Sequence, residues 1–81
     1  MDKVKVNGIY RHYKGDLYLV EDIATHSETG EKLVIYRGLY ENSPLYARPM
    51  PLFLDKLDSD KAKEFGQENR FELQNIKSKR K

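Results

Sequence analysis

No cysteine occurs among the 81 residues of this chain, so neither a disulfide nor a thiolate metal centre can brace it. That absence fits a reducing compartment, and the expected location is the cytoplasm. No apolar run approaches the roughly 20 residues of a membrane helix. The opening Met1-Asp2-Lys3-Val4-Lys5 also lacks the apolar stretch of a secretory leader. A soluble protein with no membrane partner is expected. Gly-rich phosphate loops, dinucleotide fingerprints and paired catalytic carboxylates are missing as well. The acidic series Asp55, Asp58 and Asp60 has neither the Gly nor the closing Glu of a calcium loop. No cofactor is expected. There is no internal repeat, and this length allows one domain. A chain so short buries only about 60% of its unfolded surface, which requires one continuous core.

The formal charge of +2 is unevenly placed. Lys77, Lys79, Arg80 and Lys81 form a basic end, and the remaining 11 basic residues face 13 acidic ones. A slightly acidic body is a poor electrostatic footprint for nucleic acid. Association with nucleic acid is therefore expected to be weak and non-specific, through this end with help from Lys3, Lys5, Arg11 and Lys14. Residues 75–81 read as a disordered tail and residues 1–7 as a loose arm, which leaves 8–74 as the domain.

What the chain does have is tyrosine among β-branched residues, with Gly at the corners. Gly8 to Tyr13 reads as a strand, and Lys14-Gly15-Asp16 as a tight turn with Gly15 at positive φ. Leu17 to His26 is a long strand of imperfect alternation, and Glu21-Asp22 is the natural place for a bulge. Ser27-Glu28-Thr29-Gly30 turns the chain into the strand Glu31 to Tyr40. Leu45 to Arg48 is a strand ended by Pro49, and Pro49 to Phe53 is expected to bend or form a 3₁₀ turn. One short helical turn near residues 59–65, capped by Ser59, and a closing strand Arg70 to Leu73 complete the pattern. The fold class is all-β, about five antiparallel strands in a small closed or nearly closed barrel. Tyr18, Val20, Val34, Tyr36, Leu52 and Phe71 are the expected core. Tyr13 and Tyr46 are expected outside it, near His12 and Arg48.

His26, Ser27 and Glu28 hold an imidazole, a hydroxyl and a carboxylate. Neighbours on a strand point to opposite faces, so they form no relay among themselves. They read as turn formers. A metal-dependent or hydrolase-like enzyme would have to combine His12 with His26, and no metal-ligand spacing supports it. Arg48, held extended by Pro49, is expected to pair with Glu28 or Glu31, or else to offer its fork to an anion.

The blocks GIYRHYKGDLY, ATHSETGE, VIYRGLY, ARP and RFEL, in that order and spacing, resemble the bacterial family of domain of unknown function 1653, over roughly residues 8 to 74. The resemblance implies a barrel of the SH3-like type and no activity. The chain departs from that pattern with Tyr46 at a position usually held by Trp, and with a longer stretch between Leu57 and Arg70. The resulting expectation is a binding or accessory module, monomer or weak dimer, that recognises a protein segment or a small anionic ligand. Its candidate surface is Tyr13, His26, Glu28, Tyr36, Tyr46 and Arg48.

Overall fold

Alternating side chains and Gly-centred turns produce one antiparallel sheet in the computed structural model, which describes residues 4–75. The strands are β1 (Ile9–His12), β2 (Leu17–Thr25), β3 (Lys32–Gly38), β4 (Leu45–Pro49) and β5 (Phe71–Leu73). Their order across the sheet is β4-β3-β2-β1-β5, a meander whose last strand returns beside the first. Gly15 and Gly30 take φ of 115° and 78° in the first two turns, a region closed to most side chains. The chain thus forms the expected all-β domain of five antiparallel strands.

The bulge falls where the acidic pair predicts it. Val20 opposes Tyr36 and Ile23 opposes Val34, so three steps on β2 match two on β3. The extra residue turns Ile23 to the same face as Val20, and Ile23 packs against the core. An unbroken strand would have set Ile23 on the face opposite Val20; the expected bulge brings the two together. Bulged Glu21 instead pairs with Arg37 on the outer face.

The sheet is strongly curled. Tyr36 on β3 and Phe71 on β5 are three strands apart, which in a flat sheet means about 14 Å. Their ring centroids are 5.6 Å apart. The gap between the edge strands β4 and β5 is filled by α1 (Met50–Phe53), whose Phe53 is 1% exposed. Phe53 stacks on Phe71 at 4.2 Å and meets Tyr10 and Tyr36 edge-on at 5.2 and 5.3 Å. The result is barrel-like, with a core of Tyr10, Val20, Val34, Tyr36, Phe53 and Phe71.

Four expectations are corrected here. Pro49 to Phe53 is not a mere bend: a second helical element, α1, forms because Pro51 sits in the first helical turn, where no N–H is needed. Leu52 is 51% exposed, and its neighbour Phe53 takes the buried place. Tyr13 is buried, at 7% exposure, beneath Phe65 of α2 (Ser59–Phe65). The helix α2 is capped by Asp58, whose carboxylate accepts the Lys61 amide, rather than by Ser59, and it ends at left-handed Gly66. Residues 4–7 of the arm are tied to the barrel: Val4 packs on the core, and the Lys5 and Asn7 amides donate to Tyr10 Oη and the Val20 carbonyl. Residues 76–81, which include the basic end, lie outside the described residues.

Candidate functional site

At the end of the barrel where β1 gives way to β2 and β3 gives way to β4, the inner face is lined by rings. Antiparallel register places Tyr18 opposite Gly38 and Tyr46 opposite Tyr36. Tyr18 lies 5.6 Å from Tyr36 and 5.8 Å from Phe71, and Tyr46 lies 5.4 Å from Tyr36. Tyr40, beyond the end of β3, comes back over the strand to within 6.1 Å of Tyr18. This return depends on Gly38, since a Cβ there would overlap the Tyr40 ring. The Tyr40 and Tyr46 hydroxyls lie 3.4 Å apart at the rim.

These phenols are electrostatically unlike. Burial, reinforced by the Tyr40 hydroxyl, pushes Tyr18 up to about 12. The hydrogen bond with Tyr40 also raises Tyr46. Tyr40 is the one lowered, through its hydrogen bonds with Tyr46 and Ser43.

Arg48 enters this mouth from the edge strand. Its Nε donates to Tyr36 Oη at 3.2 Å, and its guanidinium lies 5.7 Å from the centre of the Phe71 ring. The expected pairing with Glu28 or Glu31 does not form. The ion pairs among the described residues are Arg37 with Glu21 and Arg70 with Asp55. Register explains why: Arg48 opposes Val34 and Val34 opposes Ile23, so the β2–β3 turn begins three residues, about 10 Å, further along the sheet. His26 and Glu28 sit at that turn, where His26 Nδ1 accepts the amides of Glu28 and Thr29 at 3.1 and 3.3 Å. They do not converge with Arg48.

His12 is on the mouth side, 5.0 Å from Phe71 and 4.5 Å from Tyr13. Burial first, then the charges of Arg70, Lys14 and Arg48, lower its pKa from 6.5, against a smaller upward pull from Asp16. His12 closes β1 and His26 follows β2, so the nine residues of β2, roughly 25–30 Å if extended, lie between them. The fold therefore does not set the two imidazoles side by side on one strand end. Among the described residues, no three His, Cys, Asp or Glu side chains come together as a metal would require.

Of the six candidates from sequence, the structure brings together Tyr36, Tyr46 and Arg48. It buries Tyr13 behind His12 and leaves His26 and Glu28 elsewhere. Sequence reasoning missed Tyr18 and Tyr40 as mouth residues. Tyr18 shares the alternation of core residue Val20, so that alternation signals only the inner face. For Tyr40 the signal was Gly38 two residues before it.

Two concavities lie elsewhere on the described residues. One, of about 610 Å³, lies beside β5 between Leu54, Lys56, Glu68 and Glu72. Its Glu72 carboxylate already accepts the amides of Glu68 and Asn69. The other, of about 450 Å³, is an apolar groove along Pro49, Met50, Pro51 and Leu52. Neither includes Arg48 or the exposed tyrosines of the mouth.

Comparison with known proteins points in one direction. The family model described as "Protein of unknown function (DUF1653)" matches residues 8–73. The chain is also similar to the crystal structure of a DUF1653 protein from Bordetella bronchiseptica, at 29% identity and a TM-score of 0.70, covering 94% of this chain and 95% of that one. No curated protein matches.

Proposed function

The chain belongs to the DUF1653 family, whose description assigns no activity, and from the geometry of its aromatic mouth we propose a binding module for an anion that carries a flat ring. The observation behind this reading is the state of Arg48. Its Nε is occupied by the Tyr36 hydroxyl, which fixes the guanidinium plane and leaves the two terminal nitrogens of the fork without a partner among the described residues. That pair matches two oxygens of a carboxylate or phosphate. The exposed rings of Tyr46 and Tyr40 stand beside it, offering apolar area with polar tips.

A cation is the weaker guest. Tyrosine cages take quaternary ammonium groups through the ring faces, but Arg48 places a like charge against them. The barrel is read as SH3-like, a form that generally binds at one end along an aromatic-lined groove. The cysteine-free composition supports a cytoplasmic location for it.

Benzoate is a minimal probe. Titrated into the full chain, it should shift the NMR signals of the Arg48 side chain and of the Tyr46 ring together. Arg48→Gln should weaken that response at least tenfold. Arg48→Lys should fall between, because a point charge replaces a fork. A response indifferent to Arg48→Gln would refute the reading.

A further inference from the structure

Next to the mouth is a second feature that the single-anion reading does not use. The ring of Tyr13 is approached by three cations from three separate segments: Lys14 Nζ at 5.9 Å, Lys61 Nζ at 5.7 Å and the Arg70 guanidinium at 5.8 Å. Lys14 belongs to the β1–β2 turn, Lys61 to α2, and Arg70 to the entry of β5. Only Arg70 has a carboxylate partner among the described residues, Asp55 at 3.4 Å. Three like charges gathered on one ring repel one another, and an anion would relieve that repulsion.

This cluster is continuous with the mouth. Tyr13 lies against His12, His12 against Phe71, and Phe71 against the Arg48 guanidinium, through separations of 4.5, 5.0 and 5.7 Å. Cations thus stand at both ends of a short row of rings, and exposed Tyr40 and Tyr46 extend it at the rim.

We propose that the exposed rim around this row docks single-stranded nucleic acid, with a base stacked on Tyr46 and Tyr40, one phosphate on Arg48 and following phosphates on Lys14, Lys61 and Arg70. The proposal rests on the reading of the mouth as a site for an anion beside a flat ring, and extends that ligand to a polymer of such units. Charge complementarity carries it. A small monoanion satisfies one end only, whereas a strand supplies ring and charge in alternation. Stacking on tyrosine needs an unpaired base, since a duplex keeps its base faces covered. The slightly acidic body is no obstacle, because the cations are gathered locally. The basic end of the chain, expected to be the nucleic-acid contact, is a separate contributor and has to be silenced in the test.

The experiment uses the full chain with Lys77, Lys79, Arg80 and Lys81 all changed to Gln. Its binding to a labelled oligothymidine, an abasic strand of equal length and a duplex is followed by anisotropy at several salt concentrations. The oligothymidine should bind best. Tyr46→Ala should cost about tenfold and Tyr46→Phe little, as expected for stacking. Lys61 is an exposed side chain of α2 with no carboxylate partner among the described residues, so Lys61→Gln should leave the melting temperature nearly unchanged. It should nevertheless lower the slope of log K against log salt by about 0.7, one phosphate contact on a single strand. Equal binding of the abasic strand, or a slope unmoved by Lys61→Gln, would overturn the proposal. Absence of strand binding while benzoate still shifts Arg48 would overturn it too, and would leave the anion-and-ring reading standing. Absence of both responses would remove the two together.

Discussion

Phe53 and Tyr46 both pack against Tyr36, at 5.3 and 5.4 Å, yet one is 1% and the other 37% exposed. They mark two aromatic regions built on the same strands. Around Phe53 the rings meet Tyr10, Tyr36 and Phe71 and close the gap between the edges of the sheet. Around Tyr46 the rings end in hydroxyls that bond one another, with an arginine fork among them. The same chemistry therefore does two things, and what separates them is whether α1 covers the rings. Where it does, burial stabilises the fold. Where it does not, a surface of apolar faces and polar tips is left exposed.

The contrast is broken most severely at its buried pole. Phe53→Ala should destabilise the domain by about 3–5 kcal/mol, the range for deleting a large core aromatic. Leu52→Ala, one residue away on the exposed side of the same turn, should change stability by about 0.5 kcal/mol or less. Chemical denaturation of the two variants decides it. Equal losses would mean that α1 does not plug the barrel by its Phe53 face.

Gly38→Ala tests the exposed pole. The new methyl needs the place of the Tyr40 ring, which can swing into solvent because it is 44% exposed. A cost of about 1 kcal/mol, the low end for overpacking, is expected. The sharper reading is spectroscopic. With Tyr40 displaced, the phenol of Tyr18 should titrate below its value of about 12 and closer to 10, visible as earlier phenolate absorbance on raising the pH. An unchanged titration would separate Tyr40 from the cluster.

The smallest effect lies on the border between the regions, at His12. Its pKa is lowered in the folded state by burial and by Arg70, Lys14 and Arg48, with Asp16 opposing. The unfolded chain therefore takes up the proton first as the pH falls. The stabilisation is present above the unfolded value of 6.5 and is lost on descending through it toward the lower folded value. Stability followed against pH should show that decline in the parent, and His12→Gln should flatten it. An anion bound in the mouth should offset the charge of Arg48 and weaken the decline in the parent as well.

Much of the barrel is legible in the residues because strand periodicity is local. Alternation in Val34-Ile35-Tyr36, the turn glycines, and the short helical stretch near residues 59–65 all act within a few positions of themselves. Even the bulge is visible at Glu21-Asp22, where two adjacent acids interrupt an apolar strand. Other features were not legible, each for a definite reason. Leu52 and Phe53 are adjacent apolar residues in a single helical turn, too short for periodicity to say which one faces inward. Tyr13 follows the end of β1 and is buried only because α2 places Phe65 against it. The partner of Arg48 depends on the register of three strands, and the place of Tyr40 on the space left at Gly38.

The sequence by itself determined that this is one all-β domain of the DUF1653 family, because alternation, turn chemistry and motif order are properties of the chain taken in order. Only the tertiary structure decided which rings are core and which are surface, and where Arg48 finds its neighbours. Those are properties of curl and closure: a sheet that brings β3 and β5 within ring contact sets residues side by side that no spacing along the chain relates.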